Sequence, residues 1–258
     1  MNKTALITGA SSGIGLELAH VFAQNQTDLV LVARSEKALQ NLATTLQNKH
    51  NIKVNVLALD LSLPDSAQTV YKYTQSNGIN VDYLINNAGF GDYGMFAESN
   101  WDKQSQMINL NILTLTHLTH LYLPGMINRK HGKIMNVAST ASFQPGPTMS
   151  VYFASKAFVL HFSEAIANEL EGTGVTVTAL CPGPTASGFQ DAADLNESKL
   201  VKGRKLPDAK SVAIYGYKAM MKDKTVAIHG TMNAIMANAI RFTPRFLVVK
   251  MARMVQDK

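Results

Sequence analysis

The chain has 258 residues, 46% of them hydrophobic and 16% charged, which suits one large α/β domain and excludes the charge-rich, apolar-poor composition of a disordered protein. No run approaches the roughly 18 apolar residues of a spanning helix, because even Phe246-Leu247-Val248-Val249 is cut by Lys250. The net charge of +6 is uneven: residues 1–198 hold 11 Lys and Arg against 15 Asp and Glu, residues 199–258 hold 13 against 3, and neither this distribution nor any motif fits a nucleic-acid binder.

Short β-branched runs alternate with longer helical patterns from the start. The first predicted strand, Thr4–Ile7, reaches Thr8-Gly9 after three apolar residues, too few for a signal-peptide core, so the expected location is the cytoplasm. Helix Ile14–Gln24 follows, then strand Asp28–Ala33, helix Glu36–Lys49, strand Lys53–Ala58, helix Pro64–Asn77 and strand Tyr83–Asn86. One long helix is expected over Trp101–Asn128, then strand Lys133–Val137, helix Val151–Glu171 and strands Val175–Leu180 and Thr225–Ile228. Continuous apolar strands joined by helices predict a doubly wound parallel sheet of about seven strands, in a single domain with helices on both faces. Pro184–Leu206 reads as a binding loop or lid. Cys181 stands alone, which excludes an internal disulfide and a thiolate zinc site.

The first strand runs into Thr8-Gly9-Ala10-Ser11-Ser12-Gly13-Ile14-Gly15. A strand, a glycine turn and a helix start aim backbone N–H groups and the positive helix end at one point, where a pyrophosphate can sit. Four further motifs follow: Asn86-Asn87-Ala88-Gly89 at a strand end, Asn111 in a helix, Ser139 at the end of the fifth strand, and Tyr152-Phe153-Ala154-Ser155-Lys156 at a helix start. Tyr152 and Lys156 are four apart and share a helix face, where an ammonium beside a phenol favours the phenolate and tunes it for proton transfer.

With these motifs in this order, the chain resembles the classical short-chain dehydrogenase/reductase family over roughly residues 3–230. That resemblance implies a Rossmann-type fold, a nicotinamide cofactor and hydride transfer to or from a carbonyl or alcohol. It implies Tyr152 as acid/base, Lys156 beside it and Ser139, thirteen residues before Tyr152, on the substrate oxygen. Asn111, thirteen residues before Pro124, is expected to hold a relay water through its side chain, with Asn109 as the alternative. The cofactor set it implies is Gly9, Ser11, Ser12, Gly13, Ile14, Gly15, Arg34, Asp60, Leu61, Asn87, Ala88, Gly89, Tyr152, Lys156, Pro182, Gly183, Thr185 and Ser187. Ala33 stands where NAD-preferring relatives carry an acid and Arg34 supplies a guanidinium for a 2′-phosphate, so NADP(H) is expected. Asp60 is expected to accept from the adenine amine, and Ser187 replaces the usual Thr.

His117 and His120 lie three apart without a third ligand, and no metal is expected. Phe90, Tyr93, Met95, Phe96, Phe143 and Met149 suggest an apolar substrate pocket. The expected activity is NADP(H)-dependent reduction of an apolar ketone or aldehyde, or the reverse oxidation; the alternative is a catalytically idle NADP(H)-binding sensor or scaffold. A homodimer or homotetramer through Trp101–Asn128 and Val151–Glu171 is expected. Residues 231–258 form a helical extension in which Met232, Ile235, Met236, Ala239 and Ile240 share a face and Phe246–Val255 resumes the pattern after Pro244. Packing on the protein or a neighbouring subunit is the expected role, ahead of a cleft cap or contact with an anionic membrane surface.

Overall fold

Aliphatic runs of three to seven residues lie side by side as β1 (Thr4–Thr8), β2 (Asp28–Ala33), β3 (Val54–Ala58), β4 (Tyr83–Asn86), β5 (Gly132–Val137), β6 (Val175–Cys181) and β7 (Val226–Ile228). All six pairings are parallel, in the order β3-β2-β1-β4-β5-β6-β7. This computed structural model describes residues 2–189, 193 and 206–256. Helices α1 (Gly13–Gln24), α2 (Glu36–His50), α3 (Ser66–Ser76), α4 (Trp101–Ile108), α5 (Leu115–Asn128), α6 (Ser150–Glu169) and α7 (Ala209–Met221) make the crossovers, and α8 (Thr231–Ala239) and α9 (Arg245–Gln256) follow the last strand.

Strand alternation divides the core in two. Ala5, Ile7, Leu29 and Leu31 point to one face, where Leu18 and Phe22 of α1, Leu39 of α2 and Val212 and Met220 of α7 cover them. Leu6, Val30 and Val32 point to the other, against Val70 of α3, Leu118 and Met126 of α5 and Ile166 of α6. Because both faces are covered, the central strands read as unbroken apolar runs.

The expected helix Trp101–Asn128 is three pieces. Between α4 and α5 the backbone takes a π-helical turn over Asn109–Thr114, and Pro124 sits inside α5. A wider turn inserts one residue without erasing the apolar pattern, so the spacing alone read as a single helix. The expected start at Pro64 is also corrected, since Asp65 has φ 59° and the left-handed conformation delays α3 to Ser66. Of the stretch Pro184–Leu206, residues 190–192 and 194–205 lie outside the described residues; Ala186 pairs with Asp208 in a parallel bridge that ties its two ends.

Candidate active site

Strand order reverses between β1 and β4, and a cleft of about 690 Å³ opens at the carboxyl ends of the strands there. Gly9, Ser11, Ser12, Gly13, Ile14, Arg34, Asp60, Leu61, Asn87, Ala88, Gly89, Ser139, Tyr152, Lys156, Pro182, Gly183, Thr185 and Ser187 line it. Gly15 and Asn111 lie behind this wall.

The glycine turn is shaped for close approach. Gly9 has φ 65°, and a Cβ there would meet Asn87 Nδ2 at 2.9 Å and the Ala88 backbone at 3.0 Å. A Cβ on Gly15 would sit 2.3 Å from the carbonyl oxygen of Gly9, so only glycine lets α1 begin against the turn. Ser12 occupies the N-cap of α1 without capping it, and no acid stands in the first turn, which leaves the positive helix end facing the cleft. Thr8, missed as a site residue in the sequence, holds the two loops together: its hydroxyl accepts from the N–H groups of Asn87 and Ala88 at 2.9 and 3.0 Å and donates to Ile85 O. Asn87 Nδ2 returns a bond to Thr8 O at 2.9 Å. Behind them Asn86 donates to Asn136 Oδ1 and Thr119 Oγ1, and Asn136 donates to Ser163, so the strand ends are tied through buried amides. These residues fit a dinucleotide: a pyrophosphate would face the uncapped helix end, and the glycines leave the turn without Cβ atoms in its way.

At the adenosine end, Arg34 is exposed beside Ser35 and Asp60. Partial burial pushes the Asp60 carboxyl up, but bonds from the Ser62 N–H and hydroxyl and the Arg34 charge outweigh it and hold the group below its usual range. Both bonds from Ser62 fall on Oδ1, at 2.9 and 2.7 Å.

Across the cleft, Ser139 caps a short 3-10 turn over Thr140–Phe143 in a reciprocal pair with Ser142, whose hydroxyl donates to Lys156 O at 2.7 Å. The pattern Ser-x-x-Ser could have revealed this support. Tyr152 and Lys156 lie one turn apart on α6 in the cleft wall, the lysine buried and the tyrosine half-buried. Burial pushes the Tyr152 phenol up to about 12, opposed by its interaction with the Ser139 hydroxyl. Burial pushes the Lys156 ammonium down to about 8. Lys156 Nζ donates to Val137 O at 2.7 Å and does not bond the phenol. In this arrangement desolvation, rather than the lysine charge, is the largest influence on the phenol.

Asn111 is buried inside the π turn, where Oδ1 accepts from Phe90 N and Nδ2 donates to Phe90 O and Ser155 Oγ. Both amide hydrogens are engaged, so the side chain fixes the Gly89-Phe90 loop against α6 and cannot also donate to a relay water. Asn109 is half-buried and takes no part.

Of the expected pocket residues, Phe90 and Met149 line the cleft and Tyr93 packs on the cluster around Met149 and Phe153. Met95 and Phe96 are exposed, and Phe143 packs on the core beside Leu115 and Ala138. The missing wall comes from Phe153, Phe189 and, unexpectedly, α9, through Ala252, Val255 and Gln256. Val248, Ala252 and Gln256 are its buried stripe, at spacing four, and Thr148 Oγ1 donates to Gln256 Oε1 at 3.4 Å. The extension is thus a wall of the cleft on one face.

The family model for short chain dehydrogenase matches residues 3–198. The very-long-chain 3-oxoacyl-CoA reductase of Rattus norvegicus is 29% identical over 257 residues, covering 97% of this chain and 78% of its own length. A short-chain dehydrogenase from Sphingobium yanoikuyae in complex with NADPH is similar with TM-score 0.83 and 30% identity, over 93% of this chain and 94% of that one. A short-chain dehydrogenase/reductase from Burkholderia phymatum in complex with NAD gives TM-score 0.80 at 27% identity, over 93% and 92%. A glycine turn at the point where the sheet reverses, facing a serine, tyrosine and lysine across one cleft, agrees with these likenesses, and the chain belongs to the short-chain dehydrogenase family, as an oxidoreductase of alcohol and carbonyl groups.

Proposed function

We propose that the protein is an NADP(H)-dependent reductase of an apolar ketone or aldehyde. The observation that carries this reading is that Ser139, Tyr152 and Lys156 line the same cleft as the glycine turn and Arg34. Bound nicotinamide supplies the hydride. The Tyr152 phenol, held protonated at neutral pH by its burial, gives its proton to the substrate oxygen as negative charge develops there. Ser139 donates a second hydrogen bond to that oxygen and orients it. Gly9, Gly13 and the α1 N-terminus hold the pyrophosphate, while Asp60 Oδ2 accepts from the adenine amine. Arg34 pairs with the 2′-phosphate, and Ala33 offers no carboxylate to repel it. Pro182, Gly183, Thr185 and Ser187 hold the carboxamide end.

Phe90, Met149, Phe153, Phe189, Ala252 and Val255 give the substrate side an apolar lining. The assembly proposed is a homo-oligomer, supported by Trp101 and Phe158, which stand exposed on α4 and α6.

The test follows NADPH and NADH consumption over a panel of ketones and aldehydes of increasing apolar size. Turnover with NADPH in clear preference to NADH, rising with apolar bulk, is the expected result. NADPH binding without turnover of any carbonyl compound would instead select the idle sensor.

A further inference from the structure

The inner face of α9 is accounted for by the cleft; its outer face is not. Phe246, Met251 and Met254 stand more than half exposed on α9, as do Met232, Ile235 and Met236 on α8, and Phe242 between them is 90% exposed. Isolated exposed apolar residues need no explanation, but seven within 23 consecutive positions do. The same segment carries Arg241, Arg245 and Lys250, all exposed. Residues 224–256 contain no Asp or Glu.

We propose that α8, the turn at Phe242 and the outer face of α9 dock on the surface of an anionic lipid bilayer, with the apolar side chains entering the boundary of headgroups and acyl chains. Three observations favour that occupant. Cations without any acid complement an anionic surface, and the Arg and Lys stems can snorkel beside the apolar residues. Four of the exposed side chains, Met232, Met236, Met251 and Met254, are flexible thioethers that conform to a fluid surface better than to a fixed partner. A second copy of this chain would form an isologous contact by setting this cationic face against itself, and like charges oppose it.

Pro244 makes each helix short for an isolated interfacial peptide, but here both are already folded. Val248, Ala252 and Gln256 anchor α9, and Ala237 anchors α8, so the bilayer need not induce them. Among the described residues no helix is long and apolar enough to cross a membrane, which leaves contact with the surface. Since the inner face of α9 walls the cleft, docking brings the cleft within about one helix diameter, ~10 Å, of the lipid.

The full chain, without cofactor or substrate, is sedimented with vesicles of phosphatidylcholine alone and with added phosphatidylglycerol, at low and high salt. Binding to the anionic vesicles that falls steeply with salt is expected. Arg241→Gln combined with Lys250→Gln should lower partition by about 25-fold, at roughly fivefold for each cation near the surface. Phe242→Ser combined with Phe246→Ser should lower it at least about tenfold. All four side chains are exposed and outside the cleft, so thermal midpoint and turnover of a water-soluble ketone should be unchanged. Absence of binding, or equal binding to neutral and anionic vesicles, overturns the proposal. So does a dimer in sedimentation velocity that the two Phe→Ser changes dissociate, with no vesicle binding, which assigns the face to a second copy. Because vesicle binding is read without turnover, failure of the reductase reading leaves this result intact.

Discussion

Lys156 Nζ lies 5.8 Å from the centre of the Tyr152 ring, and its hydrogen bond goes to the carbonyl oxygen of Val137 at 2.7 Å. No charge therefore offsets burial of the phenol, which stays a proton donor at neutral pH, the state that carbonyl reduction requires. Alcohol oxidation would draw on the phenolate, which a lysine charge turned towards Tyr152 would favour.

Removing the phenolic proton should stop the reaction with little effect on cofactor binding. Tyr152→Phe is expected to lower turnover by at least about two orders of magnitude, with NADPH affinity nearly unchanged. Steady-state turnover and fluorescence titration with NADPH check it; retention of a tenth of the activity would remove Tyr152 from the proton step.

The buried lysine has a cost that depends on pH. With its folded pKa lowered to about 8, Lys156 binds fewer protons in the folded than in the unfolded chain between about pH 8 and its ordinary value of 10.5. Stability from this group therefore rises with pH across that window, and the penalty is full below it. Lys156→Met also removes the bond to Val137 O, so a net gain of about 1 kcal/mol is expected at pH 7, or roughly 2–4 °C in the cofactor-free protein. Differential scanning fluorimetry from pH 7 to 10 should show that gain shrinking as pH rises while activity is absent throughout; a gain that grew with pH would contradict the assignment.

Sheet, glycine turn and the Ser-Tyr-Lys set were legible because each is written locally. Leu29-Val30-Leu31-Val32 needs both faces covered, and Gly9, Gly13 and Gly15 crowd a turn that only a strand and helix meeting at close range requires. The role of Asn111 was less legible, because the π turn that buries it depends on how α4 and α5 meet. Phe143 and Phe96 illustrate a different limit: composition marks them as apolar, but only the tertiary fold decides that one joins the core and the other faces outward. The cleft wall from α9 was hidden because Ala252 and Gln256 lie about a hundred residues from Met149 and Thr148 in sequence, and periodicity shows a buried stripe without showing what buries it.

Arg34 discriminates between cofactors if it reads the 2′-phosphate. Arg34→Ala should weaken NADPH by about 1–3 kcal/mol, the loss of a charge-assisted contact, and leave NADH within experimental scatter. Dissociation constants for both cofactors decide it, since equal losses would place the guanidinium elsewhere.

The buried amide chain from Asn86 through Asn136 to Ser163 should matter to folding. Asn86→Leu leaves Asn136 Oδ1 and Thr119 Oγ1 without the bonds Asn86 gives them at 2.9 and 3.1 Å. The expected loss is about 2–4 kcal/mol, read as a midpoint lower by several degrees in thermal unfolding. Asn86→Asp tests whether geometry or donation matters, because it keeps the shape but replaces the donating amide with a carboxyl group.

Ala252 is small where α9 meets the cleft, and its size sets how much room the substrate side retains. It is 4% exposed and belongs to the stripe with Val248 and Gln256, so its methyl group faces inward. A larger side chain there has two outlets: it fills the cleft or it lifts α9. Ala252→Phe should therefore raise KM for bulky ketones at least about tenfold, affect small ketones much less, and leave NADPH affinity unchanged, because the cofactor residues lie on other elements. Deleting residues 245–258 provides the complementary measurement, since it removes the wall altogether: KM should rise for bulky apolar ketones through lost contact area while discrimination by size falls. If Ala252→Phe and the deletion both left KM unchanged for every ketone, α9 would have no part in holding substrate.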